Sequence, residues 1–151
     1  MSFFEDFSPC TYFGPSAPAL LAVGWLEEGK PFRKGEIKVE ECLALAALLR
    51  DPWQPVAFAG RHKCGFCRLS GGPTEMQIGE FSVALGGANL FIPDGRNVIV
   101  APSLVLHYID AHGYAPDAQF WLAVNSCPPM RSIEYLGLLS RLGITKSKFA
   151  I

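Results

Sequence analysis

The sequence predicts a single α+β domain over residues 1–151, with mostly antiparallel central strands, helices concentrated toward the C-terminal end, and a zinc knuckle between them. Three observations predict it. From Thr74 to Ala101, short apolar or partly alternating runs are separated by turn signals, which is the pattern of strands. After Pro102, three segments carry helical periodicity between recognisable starts and stops. No internal repeat and no long linker divides the chain, so one layered domain accounts for all of it.

Taken in order, residues 1–18 are rich in Phe, Pro and Ser without a clear period, and read as an irregular, apolar arm that packs on the domain. "LLAVGWLEEGKPFRKGE" predicts a strand, a turn around Glu28–Gly29 and a short return. "VEECLALAALLRDP" predicts a helix. Its Ala and Leu are strong helix formers, Cys42, Leu45, Leu48 and Leu49 share one face, and Pro52 stops it. "QPVAFAG" follows as a short apolar strand, then "EMQIGEFSVAL", "ANLFIP" and "NVIVAP", with Asp94–Gly95 between the last two as a hairpin signal. "PSLVLHYIDAHGY" begins with Pro near the first helical position and ends at Gly113. "PDAQFWLAVNSC" is ended by Pro128–Pro129, and "SIEYLGLLSRLG" has Ser132 as N-cap and Gly143 as its stop.

Composition narrows the function classes. Half of the residues are hydrophobic and 18% are charged, so the chain can build a core. No apolar run reaches the roughly 18–20 residues that cross a bilayer. The N-terminus "MSFFEDFSPC" lacks a basic region followed by an apolar stretch, so it is not a secretory signal, and the expected compartment is the cytoplasm. A net charge of −1 argues against a protein whose affinity comes from neutralising many phosphates. Arg61, Lys63 and Arg68 form a local basic group, read as solvated turn charges.

The chemistry lies in "GRHKCGFCRLSGG". Five cysteines without a signal peptide favour thiols over disulfides. Cys10, Cys42 and Cys127 are scattered, and only Cys64 and Cys67 form a motif, with Gly65 inside the turn to relieve the backbone. A structural zinc takes four Cys or His ligands, so a second pair is required. His107 and His112 supply it in "LHYIDAH", a spacing found where a helix end gives two ligands. On an ideal helix, residues five apart point about 140° away from each other, so the last turn must tighten or unwind beside Gly113. The order resembles an enlarged zinc finger in its ligand logic alone. His62 is a fifth candidate ligand. It replaces one histidine, as in a His62–Cys64–Cys67–His107 set, or lines the site as a supporting or catalytic group. Two rival readings are a redox Cys-x-x-Cys pair, which lacks its βαβ context here, and helix-end histidines that complement a dipole.

The stretch from Asn89 to Leu139, with the upstream "FAGRHKCGFC", resembles a family of small bacterial proteins of unknown function. The matching positions are His62, Cys64 and Cys67; Asn89 to Pro93; Ala101 and Pro102; His107 to Tyr114; and Cys127, Pro128 and Tyr135. The resemblance implies a bacterial cytoplasmic protein in which the two clusters form one site, and it implies no activity.

Three functions follow as expectations. The first is a zinc-stabilised interaction protein of the adaptor or toxin-neutralising type, binding another protein, with Tyr108, Tyr114, Phe120, Trp121 and Tyr135 as anchors or, alternatively, ordinary core. The second is a small zinc-dependent hydrolase in which Cys64, Cys67 and His107 hold the ion and His62, His112 or Asp110 acts as base; neither His-Glu-x-x-His nor a deaminase signature is present. The third is weak nucleic-acid binding through the knuckle. Homo-oligomerisation is compatible with each.

Overall fold

Two hairpins and one long-range strand pairing organise the chain, which a computed structural model describes over residues 2–14, 18–56 and 60–149. Strand β4 (Asn89–Asp94) turns at Gly95 and Arg96 into β5 (Asn97–Pro102), with Asn89 opposite Pro102 and Asp94 opposite Asn97. Gly95, at φ 62°, occupies the first loop position, where a two-residue hairpin requires a positive φ. Strand β1 (Leu21–Ala22) pairs parallel with β5, giving the order β1-β5-β4. Pro93, which has no N–H to donate, therefore sits on an edge strand.

This sheet is buried on both faces. Leu90, Ile92, Ile99 and Ala101 point into a core shared with Leu45, Leu49, Val105, Leu106 and Phe120. Their alternating neighbours Phe91, Val98 and Val100 point the other way, onto Trp25, Trp53, Tyr135 and Phe149. The first face is covered by helices α1 (Val39–Leu49), α2 (Val105–His112) and α3 (Ala118–Ser126). The second is covered by α4 (Ile133–Arg141), the 3-10 turn Lys146–Phe149 and the N-terminal segment. That segment runs beside β1, with Phe7 N donating to the Ala22 carbonyl and Cys10 N to that of Leu20.

The expected α+β domain is the one observed, with mixed strands and three of its four helices after the last strand. Ser132 caps α4 by accepting from Tyr135 N at 3.1 Å, as its position predicts, and Asp117 caps α3 by accepting from Gln119 N. Four details differ from the sequence expectations. "EMQIGEFSVAL" is two strands, β2 (Glu75–Ile78) and β3 (Phe81–Ala84), because Gly79 turns the chain at φ 55°. Pro102 closes β5 instead of opening α2. Ser103 is still held by the Ala88 carbonyl and accepts from Gly86 N, so the helix begins only at Val105. Cys42 is only half-buried beside the core, whereas Leu45, Ala46, Leu48 and Leu49 are the buried residues of that helix. Part of the strand expected in "QPVAFAG" lies outside the described residues, and Gln54–Val56 are not strand.

Candidate metal centre

The knuckle is a closed loop before any ligand is considered. Cys67 N donates to the Cys64 carbonyl at 3.2 Å, Gly71 N to the Cys67 carbonyl at 2.7 Å, and Cys64 N back to the Gly71 carbonyl at 2.7 Å. The glycines that make this possible are Gly71 and Gly72, at φ 73° and 87°. Gly65, expected to relieve the turn, has no positive φ, so its conformation is open to other residues. At Gly72 a Cβ would lie 3.0 Å from that of Cys64 and 3.5 Å from His107 Nε2, so the missing side chain also makes room for the site.

On the opposite wall, α2 delivers both histidines. Its end opens at Gly113, which adopts φ 69°; Gly113 N and Tyr114 N both donate to the Tyr108 carbonyl. This widened last turn removes the divergence expected of residues five apart, and the His107 and His112 rings meet edge to face with centroids 5.0 Å apart. Phe66, at the tip of the knuckle, packs on His112 and Tyr108 and fastens the loop to the helix.

The two pairs converge. The ligand atoms of Cys64, Cys67, His107 and His112 all lie within 4.8 Å of one another, close enough to hold a metal ion. Cys64 Sγ is 3.4 Å from His112 Nε2, and Cys67 Sγ is 3.3 Å from His107 Nε2 and 3.5 Å from His112 Nε2. A tetrahedral ion with metal–sulfur bonds of about 2.3 Å and metal–nitrogen bonds of about 2.0–2.1 Å has sulfur–nitrogen edges of about 3.6 Å. Hydrogen bonding alone serves this pattern poorly, because His112 Nε2 faces two sulfurs and offers one proton or one lone pair. A single ion between them would satisfy all four atoms together.

The electrostatics run the same way. Burial pushes the Cys64 thiol above its ordinary range, although the N–H groups of Phe66 and Cys67 oppose this by favouring the thiolate. Burial pulls both histidines down, and His112 lowers His107 further. The imidazoles are thus kept neutral, as a ligand must be, and a buried thiolate calls for a nearby cation. Cys64 and His107 are buried; Cys67 and His112 reach the surface in part.

His62, the fifth candidate, lies outside this group. Its Nε2 is 2.7 Å from the Tyr12 hydroxyl, and its backbone N–H donates to the Gly86 carbonyl. Asp110 is exposed on α2 and absent from the quartet. Sequence reasoning missed the cradle at Gly72 and the Phe66 brace. The "SGG" run signals a loop, but nothing local marks it as the wall of a site.

No curated protein and no solved structure matches the chain. A family model matches residues 2–125, a span that holds all four converging side chains and ends before α4. The chain belongs to the family described as Domain of unknown function (DUF7919).

Proposed function

We propose that Cys64, Cys67, His107 and His112 bind zinc in a closed, structural site, and that the protein acts in the cytoplasm as an interaction module of the adaptor or toxin-neutralising type. The observation that carries the zinc reading is the convergence of two sulfurs and two imidazole nitrogens within 4.8 Å of one another, with three sulfur–nitrogen separations of 3.3, 3.4 and 3.5 Å close to a tetrahedral edge. Cys2His2 is a common structural zinc set, and four protein ligands leave no position for a reacting water. The ion would join two segments forty residues apart, the knuckle and the end of α2.

A binding role rather than a catalytic one is favoured by that closure. The hydrolase alternative needs one ligand to leave and a base to approach, yet Asp110 is exposed and His62 is engaged with Tyr12. The aromatic residues first considered as anchors, Tyr108, Tyr114, Phe120, Trp121 and Tyr135, are all core. A partner would instead meet side chains such as Leu69, fully exposed on the knuckle loop, which also carries the exposed Lys63. Nucleic-acid binding finds little support at the knuckle, where Arg68 is paired with Glu28 and Arg61 is turned onto backbone carbonyls.

The test is metal content per chain by mass spectrometry, on protein purified without a metal-affinity tag, beside Cys64→Ser and His107→Ala. Zinc at about one per chain, lost in both variants, is the expected result. Folded wild-type protein free of metal overturns the zinc reading. Purification from cells under native conditions that returns the protein alone counts against the interaction role.

A further inference from the structure

We infer that Cys64 and Cys67 form a peroxide-sensitive switch: oxidation joins their sulfurs in a disulfide, frees the zinc and releases the knuckle from α2. This rests on the zinc reading proposed above and adds the regulation of that same site.

The division of ligands carries the argument. Both sulfurs come from one loop, and both imidazoles come from α2, forty residues on. A disulfide between these cysteines stays inside the knuckle, so it cuts the link to the helix instead of replacing it. It also removes both sulfur ligands in one event and leaves two imidazoles, half of a structural zinc set. The loop permits that bond. Cys67 N donates to the Cys64 carbonyl, and the two sulfurs lie within 4.8 Å of each other. Such a turn keeps its end Cα atoms within about 7 Å, near the 4.4–6.8 Å that a disulfide usually spans. Cys10, Cys42 and Cys127 each lie on a different segment, without a neighbouring thiol in the chain.

Access to the two sulfurs is unequal. Cys64 is 2% exposed, whereas Cys67 is half-buried and reaches the surface. A small oxidant therefore meets Cys67 first, with Cys64 behind it as the resolving thiol, the arrangement of redox-sensing pairs. As metal ligands both are held as thiolates, the form that reacts. The Cys67 thiolate attacks one oxygen of hydrogen peroxide; the O–O bond breaks, hydroxide leaves and a sulfenic acid remains. The Cys64 thiolate then attacks the Cys67 sulfur; the S–O bond breaks and a second hydroxide leaves. Two electrons pass from the sulfurs to the peroxide, and zinc passes to the solvent.

The surroundings turn this chemistry into a change of shape. Phe66, which packs on His112 and Tyr108, lies between the two cysteines, so closing the disulfide bears directly on the ring that braces the loop. From Gly60 to Ala84 only Cys64 and Val83 are fully buried, and little apolar burial holds this segment once the metal is gone.

The test treats the full-length, zinc-loaded protein with a small excess of hydrogen peroxide, following zinc with a metal-sensitive dye and the thiols by mass spectrometry. Trypsin cuts after Lys63 and Arg68, so Cys64 to Arg68 leaves as one peptide holding both sulfurs. Zinc release should keep step with the loss of two hydrogen atoms from that peptide, and dithiothreitol with added zinc should reverse both. Dimedone, a sulfenic-acid reagent, should label Cys67 and not Cys64. Cys67→His keeps four ligands without a second sulfur, and should lose zinc to peroxide at least about tenfold more slowly. If that variant holds no zinc, the wild-type peptide and the dimedone label decide. Zinc that stays bound under peroxide, zinc lost without the disulfide, labelling of Cys64 first, or equal rates in Cys67→His overturns the switch and leaves the zinc reading standing. Protein free of metal before peroxide is added overturns that reading and this inference with it.

Discussion

The three-stranded sheet and the segment from Gly60 to Ala84 are held by different forces. Strands β4 and β5 are buried along most of their length and carry side chains into two separate cores. The hairpin β2–β3 has only one fully buried side chain, Val83, and the knuckle before it contributes only Cys64. A two-stranded hairpin is marginal in water. Apolar burial therefore suffices for the sheet, whereas the knuckle and hairpin rely on local hydrogen bonds, contacts with α1 and the four-atom cluster. The sheet is where this protein is stable; the knuckle is where its stability can be adjusted.

The largest effect expected from this contrast is that of metal removal, since a structural zinc in a small domain contributes about 10 kcal/mol or more of apparent binding free energy. A strong chelator, or Cys64→Ser, should lower the melting temperature. Amide exchange should accelerate over residues 62–84 before it does in β4 and β5. Equal protection of both hairpins after zinc loss would break the comparison. Protons should act in the same direction. Both histidines are held below the ordinary imidazole value of 6.5, so the unfolded chain binds protons first as pH falls. Stability should thus be complete above about 6.5 and decline below it, where the proposed zinc should also be released; melting curves across that range, read beside bound metal, check the sign.

Next in size is Phe91→Ala, in the aromatic core on the far face of the sheet. It should cost about 3–5 kcal/mol in denaturant unfolding and leave zinc content unchanged. Gly72→Ala combines a left-handed backbone, worth about 1–2 kcal/mol, with crowding of the Cys64 Cβ at 3.0 Å, so it should weaken metal retention in a chelator competition. Smallest is Ser132→Ala, which removes the cap of α4 and should cost about 1 kcal/mol without touching the knuckle.

Features set by neighbouring residues were legible in the sequence. Asp94–Gly95 announced the β4–β5 turn, Ser132 and Gly143 bounded α4, and Gly113 ended α2 where the second histidine falls. Features set by distant partners were not. The parallel pairing of Leu21 with Ile99 has no local mark. Pro102 is equally at home in the first turn of a helix or at the end of a strand, and only Ser103, held between Ala88 and Gly86, decides. The five ligand candidates could be named, but spacing alone could not separate His62 from the others. Its place beside Tyr12 follows from the tertiary path of the N-terminal segment.

The β1–β5 pairing also bears on how the chain folds. The Trp25 indole donates to the carbonyl of Val100, 75 residues later, whereas the knuckle and the histidine helix close a loop of about half that length. Closing the shorter loop costs less chain entropy, by roughly 0.6 kcal/mol for each halving. With β4–β5 already local, the order expected is hairpin, then metal loop, then capture of β1. Such a non-local last step belongs to chains that fold over milliseconds to seconds. During synthesis Trp25 emerges long before its acceptor, so the N-terminal aromatic residues must wait in the open until β5 has left the ribosome.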